Sequence, residues 1–218
     1  MLRKVLLICG VLAALLYVGS DIFSAMSWKE YSFTNQSVSE LRAIGAPTRP
    51  FLVPCLLMYA VLEIAFGSAV WGAAGQERAL RIAGVLLIGL GVVDLTGPFF
   101  PMHLRENLRE TGRTLTDTVH IIVTVVTVLL ILLTIAFGAT ALGKRFRLYS
   151  FATIIVLMVS GVWAFLAAPQ IEANLSTPWL GVRERINIYG YMLWMLVLAI
   201  GLLRIQGSRS SVTLPRHA

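Results

Sequence analysis

The chain has 218 residues, of which 57% are hydrophobic and only 13% are charged, a composition typical of a protein embedded in a membrane. Its net charge of +7 suits contact with anionic lipid headgroups. The basic residues are divided between two membrane faces and form no continuous stripe, which argues against nucleic acid as a partner. The apolar runs leave no room for a separate soluble domain.

A helix that crosses a bilayer needs about 20 mainly apolar residues. Six runs approach or exceed this length, and they lie at residues 5–23, 51–71, 79–99, 118–142, 148–168 and 186–205. They predict an all-α fold with one six-helix transmembrane domain, residues 1–206. A tail rich in Ser and Arg, residues 207–218, is predicted to be disordered. Six spans place both termini on the same face of the membrane.

The distribution of basic residues predicts the orientation. Ten of the 18 Lys and Arg residues fall on the face that carries the termini, in its tight turns and tails. Because short loops with Lys or Arg tend to stay in the cytoplasm, both termini are predicted to be cytoplasmic. The abundance of Ala, Leu and Arg indicates a bacterial protein, so we expect a multi-pass protein of the plasma membrane. Cys9 and Cys55 fall near opposite faces, too far apart for a disulfide.

The predicted outer face carries three substantial loops, residues 24–50, 97–117 and 169–185. In the first loop, Ser37 and Glu40 have the spacing of a capping box, in which a Ser caps a helix start and a Glu three residues later bonds back to it. Gly45 supplies a left-handed stop, and Pro47 follows. The segment is predicted to form a short helix on the outer surface, and a lid or pocket wall is the alternative.

Four acids stand near predicted helix ends. Asp117 opens the fourth span and Glu184 the sixth, where the positive end of the helix dipole favours a carboxylate. Asp21 and Asp94 lie toward the C-terminal ends of the first and third spans, where an acid is disfavoured. These two acids therefore need a cation, a hydrogen-bond network or a proton.

Three cationic or titratable groups stand at the helix end that disfavours their charge, the converse of the two acids Asp21 and Asp94. Arg183, Arg185 and His120 stand at helix N-termini, where positive charge is disfavoured. The mismatches would cancel if these groups met the acids, so the sequence predicts a polar cluster at the outer membrane boundary. A salt-bridge network that closes the bundle and a binding or catalytic site both fit this pattern.

The histidines raise the possibility of acid-base or metal chemistry. Asp117 and His120 are three residues apart and share a helix face. His103 could join Asp21, Asp94 or Glu184 at a metal, but no tight pair such as HxxxH occurs. No metal and no cofactor are therefore predicted.

Glu63 lies near the middle of the second span, with Tyr59 one turn away as a possible hydrogen-bond partner. Its isolation from other carboxylates favours a structural role over a proton path.

Four stretches carry a resemblance to a known family. "QSVSELRAIGAPTRPF" in the first outer loop, "VVDLTGPFFP" at the end of the third span, "TDTVH" opening the fourth and "GVRERINIYGYMLW" opening the sixth resemble prokaryotic membrane proteins grouped as domain of unknown function 998. The resemblance covers nearly the whole chain and implies a six-helix bundle without an assigned activity. The matching positions are Ser39, Glu40, Gly45, Pro47, Asp94, His120, Glu184 and Arg185.

A fainter similarity, in the order of a Ser- and Gly-rich first loop, a His in the fourth span and a Glu in the sixth, points to the eukaryotic damage-regulated autophagy modulators. It extends to the related factor for GPI-lipid remodelling. This similarity implies a connection with lipids.

The favoured hypothesis is a polar pocket in the outer leaflet that binds a lipid headgroup or a small anionic ligand. Arg183 and Arg185 would hold the anion, Asp94 and Glu184 would orient them, and the segment from Ser37 to Pro47 would form the wall. The predicted ligand-binding residues are Asp21, Ser39, Glu40, Arg183, Glu184 and Arg185. Membrane lipids are the expected partners, and a homo-oligomer is possible.

Two other functions are compatible with these residues. The protein could be an enzyme acting on a lipid or isoprenoid substrate, with His120 as general base and Asp94 or Asp117 orienting it. It could also be a small transporter, a function that Glu63 alone supports.

Overall fold

The structure, a computed structural model, describes residues 1–212 of the chain and the side chains of residues 1–207. It contains eight α-helices, which are α1 (Leu2–Ser27), α2 (Arg49–Ala73), α3 (Arg78–Thr96), α4 (Arg105–Thr111), α5 (Leu115–Gly138), α6 (Lys144–Phe165), α7 (Ala168–Glu172) and α8 (Leu180–Val212). Two short 3-10 helices occupy Val38–Arg42 and Gly97–Phe99.

Six of these helices, α1, α2, α3, α5, α6 and α8, are long and apolar enough to cross a membrane, which confirms the predicted all-α architecture of six spans. The six contact one another in chain order, and α8 returns to pack against α1. They therefore form a closed ring, with the start of α1 and the end of α8 on one face, called the terminal face below.

The helix boundaries differ from the predicted ones where charged residues belong to a helix. The fifth predicted span begins at Lys144 rather than residue 148, and the sixth begins at Leu180 rather than residue 186. Glu184 and Arg185 therefore lie more than one turn inside α8, and neither opens it. The fourth span ends at Gly138 instead of residue 142, because the chain turns there toward Gly143, which has φ +87°.

The predicted disordered tail, residues 207–218, is described only in part. Helix α8 continues to Val212, past the predicted end at residue 205, and the rest of the tail lies outside the described residues.

Large side chains from α8 fill the centre of the ring. Tyr191 and Trp194 are among the largest fully buried residues, and the indole Nε1 of Trp194 donates to Ser150 Oγ on α6 at 2.9 Å. Glycines allow close approach elsewhere, since a Cβ on Gly84 of α3 would lie 2.5 Å from the backbone nitrogen of Trp71 on α2. The interior is thus packed tightly by both large and small residues.

The face opposite the termini is covered by an ordered layer, called the cap, made of residues 28–48, 97–114 and 166–179. Its segments are tied to one another: the amide of Ile44 donates to the carbonyl of Met102 at 2.8 Å, and the Thr177 hydroxyl donates to the carbonyl of Asn35 at 2.6 Å. The three predicted outer loops therefore form one structure over the end of the ring.

Candidate functional site

The first cap segment begins with the predicted capping box, which is confirmed. The amide of Glu40 donates to Ser37 Oγ at 3.3 Å, and the amide of Ser37 donates to Glu40 Oε2 at 2.7 Å. Gly45 has the predicted left-handed conformation, with φ +87°. Local sequence thus determines the shape of this segment.

Glu40 has a second role that joins two parts of the cap. Its carboxylate is fully buried and accepts two hydrogen bonds from Arg105, one from Nε and one from Nη2, each at 2.7 Å. Burial alone would lower the pKa of Arg105, but the hydrogen bonds and charge of Glu40 outweigh it, and the pKa of the arginine is raised. The pair is a buried salt bridge between the first and second cap segments.

Asp21 and Arg185 form the ion pair suggested by their positions at the helix ends. Arg185 donates from Nε to Asp21 Oδ2 at 2.9 Å and from Nη2 to Asp21 Oδ1 at 3.1 Å, and both side chains are buried. The same guanidinium also donates to the carbonyl of Phe33 and to the hydroxyl of Tyr31. Burial raises the pKa of Tyr31, while the charge of Arg185 opposes that rise.

Arg183 lies apart from Arg185. Its guanidinium stacks on the ring of Trp163, 3.8 Å from the ring centroid. Its Nε is buried and has no hydrogen-bond partner among the described residues. The structure therefore does not bring the two arginines together on one ligand.

Arg183 lines a cleft of 330 Å³ between the end of α6, α7 and the start of α8, and Gln170 lies on the same wall. A second, shallower cleft of 480 Å³ runs along α6 and is lined by apolar residues of that helix and its end, among them Met158 and Val162. The two clefts share Trp163 and Leu166. Together they form one groove, the α6–α8 groove, with an apolar end along α6 and a polar end at Arg183.

His120 does not contact the carboxylates expected to orient it. Its Nδ1 lies 3.1 Å from the carbonyl oxygen of Phe100, and its Nε2 lies 3.2 Å from Ser39 Oγ. A carbonyl can only accept, so the Nδ1 contact requires a proton on Nδ1. In the neutral ring, Nε2 is then free to accept a hydrogen bond from the hydroxyl of Ser39.

Asp117, three residues from His120, is engaged elsewhere. It caps α5 through the backbone and hydroxyl of Thr114, which confirms its predicted position at a helix start. It also lies 3.0 Å from Nδ1 of His103. His103 is thus held at the top of α5 and not beside Asp21, Asp94 or Glu184.

Glu184 holds the cap onto α8. Its Oε2 accepts a hydrogen bond of 2.6 Å from the backbone amide of Val38, at the start of the first 3-10 helix. The carboxylate therefore satisfies a backbone donor that the short helix leaves without an internal partner.

Asp94 and Glu63 lie close together in the ring interior. The carboxyl of Asp94 interacts with that of Glu63 and with the charge of Arg42 from the cap. Glu63 Oε1 also accepts from the hydroxyls of Tyr59 at 3.0 Å and Tyr191 at 2.7 Å. The predicted Tyr59 contact is present, whereas the interpretation of Glu63 as a lone acid is wrong.

Three of the residues that complete these clusters had no signal in the sequence. Arg42, Arg105 and Tyr191 look like a surface base, a loop base and a packing aromatic, because their partners lie far away in the chain. Within the described residues, no three His, Cys, Asp or Glu side chains come together as a group that could hold a metal ion.

A closed ring of six apolar helices, capped on one face by a hydrogen-bonded layer that covers buried charges, defines a multi-pass helical membrane protein. The chain belongs to the family described as "Protein of unknown function (DUF998)", whose profile matches residues 11–201. The match spans all six membrane helices apart from the ends of α1 and α8. Comparison with curated proteins and with solved structures gave no match.

Proposed function

We propose that the protein binds a membrane lipid with an anionic headgroup in the α6–α8 groove, with the cap on the outer side of the plasma membrane. The proposed orientation rests on the sequence, in which ten of the 18 Lys and Arg residues fall in the termini and tight turns of one predicted face. The observation that carries the proposal is the buried Nε of Arg183, which has no hydrogen-bond partner in the described part of the chain and lies at the polar end of the groove.

The apolar end of the groove has the character of an acyl-chain site. Val159, Val162 and Leu166 are between 60 and 69% exposed on a helix that faces the bilayer. The shallow depression of 480 Å³ along this surface offers an acyl chain a continuous apolar contact next to the polar end. Trp163 separates the apolar and polar ends, where an amphipathic ring is favoured at the membrane interface.

The polar end suits a phosphate. A guanidinium offers a planar array of donors that matches phosphate geometry, and stacking on Trp163 holds that plane in place. Gln170 adds a side-chain amide to the same wall. Arg185 cannot take this role, because Asp21, Phe33 and Tyr31 already accept or share its hydrogen bonds.

Native mass spectrometry in mild detergent tests the proposal, with phosphatidylglycerol and phosphatidylcholine as probes. The wild type should retain phosphatidylglycerol preferentially, and Arg183→Gln should weaken that binding roughly tenfold, as expected for loss of a charge-assisted hydrogen bond. The control is Arg109→Gln, an equal change of charge at an exposed cap residue that does not line the groove. Equal retention by Arg183→Gln and wild type would contradict the proposal, and displacement by inorganic phosphate would assign the site to free anions.

One observation favours an enzyme as the second candidate. Ser39 and His120 have the arrangement of a serine nucleophile and its base, with Phe100 holding the imidazole tautomer in place of the expected Asp94 or Asp117. Ser39 Oγ would attack an ester carbonyl as its proton passes to His120 Nε2. The proton would then pass to the alkoxide leaving group, and an acyl-serine would remain.

A fluorophosphonate probe with an alkyl chain tests this second function. A serine hydrolase is expected to be labelled at Ser39, as mapped by peptide mass spectrometry, and labelling is expected to disappear in Ser39→Ala and fall strongly in a folded His120→Gln variant. Absence of labelling in the wild type would remove this candidate.

A further inference from the structure

Glu63 is a buried acid whose two carboxyl oxygens differ in the hydrogen bonds that they accept. The residue is 0% exposed, and the hydroxyls of Tyr59 and Tyr191 both donate to Oε1. Oε2 receives no hydrogen bond from any donor among the described residues. An ionised carboxylate with one oxygen undonated is costly in the centre of a membrane, so the bonding pattern fits a protonated acid better.

Asp94 supplies the acceptor that a protonated Glu63 needs. Its carboxyl interacts with that of Glu63. Two neighbouring carboxyl groups in a membrane interior repel each other when both are ionised, and one proton shared between them removes the repulsion. With the proton on Glu63 Oε2, the hydroxyl donates to Asp94 and the carbonyl oxygen Oε1 accepts from both tyrosines. Every polar atom of Glu63 is then satisfied.

The groups around the pair come from several elements. Tyr59 of α2 and Tyr191 of α8 donate to Glu63, and Tyr17 of α1 interacts with Asp94. From the cap, the guanidinium of Arg42 faces Asp94. On α5, His120 interacts with Arg42. The charge of Arg42 thus favours an ionised Asp94, and Glu184 of α8 interacts with the same guanidinium.

We propose that Glu63 and Asp94 form a proton-binding site inside the membrane, which holds one proton between the two carboxyls and exchanges it on the cap face. A proton suits the site better than a metal cation, because Oε1 is occupied by two hydroxyl hydrogens and no third His, Cys, Asp or Glu joins the pair among the described residues. Exchange occurs through Asp94, which is half-buried and faces the cap, whereas Glu63 is closed off.

Infrared difference spectroscopy on protein in lipid nanodiscs tests the site. The wild type at neutral pH should show the carbonyl stretch of a protonated carboxylic acid, shifted to lower frequency in D2O. The band should be absent in Glu63→Gln and changed in frequency in Asp94→Asn, since the acceptor differs. Glu77→Gln, an exposed acid on the terminal face, is the matched control and should leave the band unchanged.

The wild type alone makes the test decisive even where a variant does not fold. Absence of a protonated-acid band between pH 6 and 8 would overturn the proposal. Loss of the band when choline chloride is replaced by NaCl would also overturn it, in favour of a sodium site. Nanodiscs expose both faces of the protein, so the face of proton exchange is mapped in sealed vesicles. There the band should respond to a pH step on the cap side only. A response to a pH step on the terminal side would overturn the exchange route.

Discussion

The arginines at the capped end show how residue environment separates structural from binding roles. Arg105 and Arg185 are buried and each meets a carboxylate in two hydrogen bonds. Arg183 has the same chemistry but only an aromatic ring beneath it, with Nε unbonded among the described residues. The first two therefore stabilise the fold, while the third has bonding capacity left for a ligand.

Removal of one partner of the buried salt bridge between Glu40 and Arg105 is predicted to cause a large loss of stability. In Arg105→Ala the buried carboxylate of Glu40 loses its cation, which should lower the free energy of unfolding by about 3–5 kcal/mol. Titration of mixed micelles with SDS, followed by circular dichroism, measures it. Arg113→Ala is the control, because its ion pair with Glu172 is exposed and should contribute at most about 1 kcal/mol. Similar losses in both variants would contradict a special role for the buried pair.

The raised pKa of Tyr31 predicts that the free energy of unfolding depends on pH in the alkaline range. Burial raises the pKa of Tyr31 against the opposing charge of Arg185, so the folded protein keeps the phenol proton where the unfolded chain, with an ordinary pKa of about 10, loses it. Stability from this residue is complete below pH 10 and is lost as pH rises above that value. One proton corresponds to about 1.4 kcal/mol per pH unit. Unfolding free energies measured from pH 9 to 11 should fall less steeply in Tyr31→Phe, and equal slopes would contradict the assignment.

At the scale of elements, the local signals in the sequence were predictive and the distant ones were not. The capping box at Ser37 was predicted from residues three apart, where helix geometry alone brings donor and acceptor together, and the box that the structure shows at Thr114 has the same spacing. The partner of Glu40, 65 residues away, could not be predicted from any spacing. The start of α8 was placed too late because its first residues carry charges that the cap buries, so hydropathy marks the apolar core of the helix and not its end.

Close packing between α2 and α3 gives a prediction at this scale. A Cβ on Gly84 would collide with the backbone of Trp71, whereas a Cβ on Gly89, on the same helix, would meet nothing within 4 Å. Gly84→Ala should therefore lower the free energy of unfolding by about 1–3 kcal/mol through overpacking. Gly89→Ala should leave it unchanged or raise it slightly. Thermal unfolding in one detergent compares the two, and an unaffected Gly84→Ala would show that the helices are less tightly packed.

For the whole molecule, the number of spans and the three long loops on one face were predictable, because length and hydropathy decide both. The arrangement of the helices in a ring was not predictable, since the helix order around it depends on packing between distant residues. The predicted polar cluster divides into separate parts for the same reason: Asp21 with Arg185, Asp94 with Glu63, and Arg183 on the bilayer side. Only this division shows which charge remains available to a ligand.

The most direct test of lipid binding in the α6–α8 groove is photocrosslinking in reconstituted membranes with phosphatidylglycerol that carries a diazirine in one acyl chain. Crosslinked peptides should concentrate on Met158, Val159 and Val162, and should decrease in Arg183→Gln. Crosslinks spread equally over other exposed helix faces, such as Leu12 and Leu15 of α1, or unchanged by the Arg183 substitution, would contradict a lipid site there.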